Sequence, residues 1–203
     1  QTYDLNDYIS KGTNTVGIVI GDGWYLGDLM WKDTRNFYGK ERLALVEIHL
    51  EYESGKEIII SDGSWKTEKS PILMSEIYHG EKYDARLEKD GWDQSKFNDS
   101  NWYSVKEVDK GKDILVAQEN NPVRKMLEID PKEIITTPAG EKVIDMGQNM
   151  VGWLKFKVSG KSGDRVILKH AEVLDKEGNF YTDNLRSADQ KIEYILNGEE
   201  EET

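Results

Sequence analysis

The sequence predicts an all-β chain of two consecutive β-sandwich domains, residues 1–121 and 122–203. Three observations carry this. The dominant hydrophobic period is two: in Val46-Glu47-Ile48-His49-Leu50-Glu51-Tyr52-Glu53 every second side chain is apolar and the others are polar. Such alternation suits a strand with one face on a core and one in water. Turn signals punctuate these runs about every 8–12 residues, the spacing of a sandwich or jelly roll. No segment sustains three helical turns at a period of 3.6.

Taken in order, Thr15–Ile20 reads as a first strand, leading into a glycine-rich bend at Gly21-Asp22-Gly23-Trp24-Tyr25-Leu26-Gly27 that continues to Trp31. The alternating run 46–53 ends at Ser54-Gly55, and the next turn is Asp62-Gly63. Trp153–Val158 and Arg165–Ala171 are further strands, with turns at Pro138-Ala139-Gly140, Ser159-Gly160, Ser162-Gly163 and Glu177-Gly178-Asn179. Aromatic content falls along the chain. Five of the six Trp and eight of the ten Tyr precede residue 121, and the polar stretch 117–122 closing on Pro122 marks the boundary. Trp24, Trp65, Trp92 and Trp102 are expected in the first core, and Trp153, Phe156, Ile167 and Leu168 in the second. The closing run Glu199–Glu202 reads as a solvated terminus.

Composition excludes several functions. Over 203 residues, 27 basic against 39 acidic groups leave −12, with no basic footprint for nucleic acid and a poor match to anionic lipid. Six Trp and ten Tyr are too many rings for a disordered acidic chain. With no cysteine, disulfides and thiolate-bound zinc are ruled out, while cytoplasmic and secreted bacterial locations both remain open. No apolar run reaches the roughly 20 residues of a spanning helix. The opening Gln1 reads as a processing or expression boundary.

Chemistry-bearing residues concentrate in two places. Trp24 and Tyr25 beside Asp22 suit a sugar, with rings for its C–H face and a carboxylate for its hydroxyls; the same bend equally suits an indole plugging a core. In Tyr78-His79-Gly80-Glu81-Lys82-Tyr83-Asp84-Ala85-Arg86, the groups Glu81, Asp84 and Arg86 form either a binding trio or an ion-pair network. Asp90–Asp93 and Phe97–Trp102 read as aromatic turns. Asp175–Asn179 lacks the ligand series of a calcium loop and reads as a hairpin turn. His49, His79 and His170 lie far apart, in no metal-ligand spacing, and no residue set stands out as catalytic.

The phrases VGIVIGDGWYLGDL, SPILMSEIYHGEKYDAR and GWDQSKFNDSNW resemble the N-terminal β-sandwich domain of bacterial α-L-rhamnosidases of glycoside hydrolase family 78. TPAGEKVIDMGQNMVGWLKFKVSG and the segment from AEVLD to NLR resemble the next sandwich of that family. The resemblance implies jelly-roll folds of galactose-binding-like or lectin-like type. It also implies a parent that hydrolyses terminal α-L-rhamnose with inversion, on an (α/α)6 barrel that this chain lacks. The chain alone is then expected to be inactive, with no catalytic residue and with that barrel as its partner. Some relatives carry a calcium-dependent L-rhamnose-binding sandwich. Carried over, that role implies sugar-binding residues Asp22, Trp24, Tyr25, Tyr78, Glu81 and Asp84, a rhamnose-containing carbohydrate as ligand, and calcium held by Asp22, Glu81 and Asp84. The structural alternative assigns these residues to the sandwich interior and to barrel docking.

Overall fold

A computed structural model of the chain describes residues 1–29, 34–121 and 123–203. Trp31 and Pro122 lie outside the described residues. One four-residue helix, α1 (Gly23–Leu26), precedes the strands β1 (Glu47–Tyr52), β2 (Gly55–Ile60), β3 (Lys66–Thr67), β4 (Ile72–Glu76), β5 (Gly80–Asp84) and β6 (Tyr103–Ser104). There follow β7 (Glu133–Thr136), β8 (Lys142–Asp145), β9 (Arg165–Lys169), β10 (Val173–Leu174), β11 (Phe180–Tyr181) and β12 (Lys191–Ile195). The fold class is all-β, as the period of two predicts. The glycine-rich bend differs in detail: two i→i+4 bonds, Leu26 N to Asp22 O and Gly27 N to Gly23 O, close one helical turn.

Turn chemistry sets the hairpins. β1 and β2 pair antiparallel from Glu47↔Ile60 to Tyr52↔Gly55 around the Ser54-Gly55 signal. β7 and β8 pair around Thr137–Glu141, where Gly140 adopts φ +87° and donates to Thr137 O. β10 and β11 close over the Asp175–Asn179 turn, whose Asp175 Oδ1 accepts from the backbone N–H of Glu177 (3.0 Å) and Asn179 (2.7 Å). That is an Asx-type turn, and it closes the hairpin read from the sequence.

Compactness divides the chain into two units that do not follow chain order. One unit holds Gln1–Ile20, Glu41–Ser70 and Lys89–Pro122; the other holds Gly21–Lys40, Pro71–Glu88 and Val123–Thr203. In the first, β1–β2 and β3–β6 are two-stranded antiparallel sheets, and Phe97 and Trp102 meet edge to face at 5.5 Å. In the second, a four-stranded sheet of order β4-β5-β12-β9 brings Ile72–Asp84 together with Arg165–Ile195. β5 and β12 run parallel, Lys191↔Gly80 through Ile195↔Asp84, while the outer pairs are antiparallel. Gly80 makes this pairing work: its φ is +99°, and a Cβ there would lie 2.2 Å from Lys191 O. Tyr83 and Tyr194, neighbours across the pair, stack at 5.5 Å.

The buried apolar residues among those described are few: Leu26, Ile48, Ala85, Ile195 and Leu196. Three expected core residues instead face solvent, Trp24 at 54%, Trp153 at 60% and Ile167 at 53% exposure. Trp65, Trp92, Trp102, Phe156 and Leu168 are half-buried. The physical reason is missing cover. Trp153 lies in a stretch without a ladder partner, where sequence alternation predicts a strand, and Ile167 lies on an open face of β9. The acidic terminus also departs from expectation. Glu202 is 3% exposed and accepts from the backbone N–H of Asn197 and Gly198 and from the Tyr194 hydroxyl, each at 3.0 Å. Burial opposes its ionisation, but these donors outweigh it and lower its pKa.

Candidate functional site

Within the second unit, Gly27 caps α1, and the next residue, Asp28, forms an isolated antiparallel bridge with Arg35. This brings Asp28 against the β4–β5 turn. Gly27 permits the approach: a Cβ there would lie 2.7 Å from Glu76 Cγ. Glu76, the last residue of β4, is 6% exposed and holds both flanks with its carboxylate. Its Oε1 accepts from Asp28 N at 2.5 Å and its Oε2 from His79 N at 2.9 Å.

His79 completes the cluster. Its Nε2 lies 2.7 Å from Asp28 Oδ2, while its Nδ1 lies 3.4 Å from both the Asp189 backbone N and Asp189 Oδ2. Nε2 is placed to donate to Asp28 Oδ2 and Nδ1 to accept from Asp189 N–H. The Arg35 guanidinium is 3.4 Å from Asp22 Oδ2, 3.7 Å from Asp28 Oδ2 and 4.0 Å from Glu76 Oε1. The side chains of Asp22, Asp28 and Glu76 are 10%, 7% and 1% exposed, and the Arg35 guanidinium near all three is 41% exposed. Asp28, Glu76 and His79 are a group of the described residues whose ligand atoms converge.

The residues singled out in the sequence are distributed differently. Asp84, 5% exposed, accepts bidentate bonds from Arg86, Nε to Oδ1 at 2.8 Å and NH2 to Oδ2 at 2.7 Å, and also takes the backbone N–H of Arg86. These bonds lower its pKa against the cost of burial. This is the ion-pair alternative read from the motif. Glu81, on the same strand, has its pKa raised by burial. Asp22 belongs to the Arg35 network, so the convergent group shares no member with Asp22, Glu81 and Asp84. Trp24 is exposed and is not a core plug; Tyr25 is 41% exposed, stacks with Tyr38 at 6.5 Å and abuts Gly39. Tyr78 is half-buried, and its carbonyl accepts from Gln190 N at 3.1 Å.

Sequence reasoning missed Asp28 and Glu76 and set His79 aside. Glu76-Ile77-Tyr78-His79 is a weak signal, an acid and an imidazole three apart at a hairpin turn. The decisive partner, Asp28, is 51 positions from His79 and is reached only through the fold.

Comparison with known proteins places the chain in a family. Residues 1–127 match the α-L-rhamnosidase N-terminal domain and residues 135–203 the bacterial α-L-rhamnosidase concanavalin-like domain. The chain belongs to the α-L-rhamnosidase family and comprises these two β-rich domains. It is 38% identical to an α-L-rhamnosidase of Streptomyces avermitilis over 205 residues, covering 100% of this chain and 20% of that protein. An α-L-rhamnosidase of Formosa agariphila is 39% identical, with 96% and 21% covered. Among solved structures, native α-L-rhamnosidase from Aspergillus terreus aligns with a TM-score of 0.83 and 37% identity, over 90% of this chain and 21% of that one. The Streptomyces avermitilis enzyme complexed with L-rhamnose aligns at 0.79 and 38% identity, over 89% and 18%. The chain thus spans about a fifth of the length of these relatives.

Proposed function

We propose that the chain is the non-catalytic β-sandwich portion of an α-L-rhamnosidase, and that its uncovered apolar faces seat the remainder of that enzyme. The single observation that carries this reading is the surface itself. Ile58, Ile59 and Ile60 are 57%, 40% and 50% exposed, and Val123, Met126, Leu127 and Val151 are 80–100% exposed. Monomeric soluble proteins rarely leave so much apolar area open, and larger patches mark interfaces. The family resemblance supplies the occupant, the (α/α)6 catalytic barrel, and the parent's reaction, release of terminal α-L-rhamnose from glycosides. Inverting glycosidases need two carboxyl groups placed across a substrate. Two of the buried carboxylates are engaged structurally, Asp84 with Arg86 and Glu76 with two backbone amides. The test is hydrolysis of a nitrophenyl α-L-rhamnoside. The chain alone gives none, whereas the longer protein encoded by its gene hydrolyses it. Turnover by the chain that survives repurification and disappears on substituting one of its carboxylates overturns the reading.

A second reading, a calcium-dependent L-rhamnose-binding module, is favoured by one observation: Trp24, beside Asp22, is 54% exposed and offers a ring face for a deoxy sugar. Titration of L-rhamnose with calcium and with chelator, on the chain and on Trp24→Ala, tests it. Identical heats in all arms remove it.

A further inference from the structure

We propose that Asp28, Glu76 and His79 form a structural site for a first-row divalent transition-metal ion of the zinc type, tying the segment after α1 to the β4–β5 turn. The inference is independent of the rhamnosidase reading. One carboxylate oxygen each from Asp28 and Glu76 and one ring nitrogen of His79 lie within 4.8 Å of one another. Ligands on one tetrahedral zinc, with bonds of about 2.0–2.2 Å, stand about 3.4 Å apart, so side-chain adjustments of about an ångström close the set. Asp28 Oδ2 and His79 Nε2 already approach to 2.7 Å.

Two further observations point to a ligand. Asp28 is 5% exposed, yet its Oδ1 is buried with no hydrogen-bond partner among the described residues. An unpaired buried carboxylate oxygen is costly, and a cation is one of the few ways to satisfy it. The second is behind the imidazole. With Nε2 on a metal, the ring proton moves to Nδ1, which faces Asp189 Oδ2 at 3.4 Å. A carboxylate behind the ligating ring is the usual support of a metal-bound histidine. Glu76 is likewise held in place by two backbone amides, which leave a lone pair on each oxygen.

The Arg35 guanidinium stands 3.7 Å from Asp28 Oδ2 and 4.0 Å from Glu76 Oε1, beyond hydrogen-bond reach of either carboxylate. The donor set selects the metal: an imidazole with two carboxylates suits zinc and its neighbours, whereas calcium takes oxygen ligands. A water would complete the fourth position.

The experiment is zinc titration of the intact chain by calorimetry, with imidazole resonances of the three histidines followed in parallel. The expected result is one equivalent bound, with the His79 signals shifting and those of His49 and His170 unmoved. His79→Ala, with an unchanged far-ultraviolet spectrum, weakens binding by at least about tenfold, and equimolar calcium does not displace the zinc. Absence of uptake, shifts at His49 or His170 instead, or wild-type affinity in a folded His79→Ala chain overturns the site. If that variant does not fold, the wild-type imidazole shifts decide alone.

Discussion

Gly80 is where the parallel β5–β12 pairing is most exposed to a single substitution. In Gly80→Ala the new methyl carbon meets Lys191 O at 2.2 Å and Lys191 C and N at 2.9 Å, on backbone with φ +99°. The backbone conformation costs an L-residue about 1–2 kcal/mol. Forcing an atom against a neighbouring main chain adds about 1–3 kcal/mol, since no rotamer relieves it. Gly140→Ala isolates the first contribution: its φ is +87° and nothing lies within 4 Å of the added carbon. Both variants share the small gain from restricting the unfolded chain, so it cancels between them. Gly80→Ala should therefore be less stable than Gly140→Ala by about 1–3 kcal/mol, read from urea midpoints at constant slope. Equal losses in the two variants would show that β5 and β12 are not joined at Gly80 and Lys191, and the four-stranded sheet would be wrong.

Two pH-dependent outcomes follow from the carboxylates of β5. Asp84 has a lowered pKa, so its pairing stabilises the fold above the ordinary carboxylate range and is lost as pH falls through the depressed value. Arg86→Ala removes the guanidinium hydrogen bonds that lower this pKa, so it lowers neutral-pH stability and flattens the acid limb of the denaturation profile; a profile parallel to wild type refutes the pair. Glu81 has a raised pKa, so its stabilising form is the protonated one, and that contribution is lost as pH rises through the raised value. Glu81→Gln should then gain stability relative to wild type at neutral pH and not at about pH 4; a gain of equal size at both pH values contradicts burial as the cause.

What could be read from the sequence was what neighbours in sequence decide. Asp175–Asn179, Thr137–Glu141 and Ser54-Gly55 are turns because their own side chains and glycines make them so, and the alternation around Ile48 marks a strand by period alone. The Asp84–Arg86 pair is two residues apart and was legible as one of two alternatives. Partners distant in sequence were not legible. Nothing local in His79 announces Asp28, and a run of four glutamates gives no sign that Glu202 is buried under the amides of Asn197 and Gly198. Trp24 and Trp153 were assigned to cores because large rings are usually buried. In this chain the surfaces that would cover them are not supplied by its own strands.

The central claim, that the apolar faces of this chain seat the remainder of a rhamnosidase, is tested most directly by hydrogen exchange. The measurement compares the isolated chain with the same residues inside the longer protein encoded by its gene. The account predicts that amides of Val123–Leu127, which have no ladder partner among the described residues, exchange at least about tenfold more slowly in the longer protein, while those of β5 and β12, already paired, change little. Equal exchange of the exposed segment in both settings would contradict it.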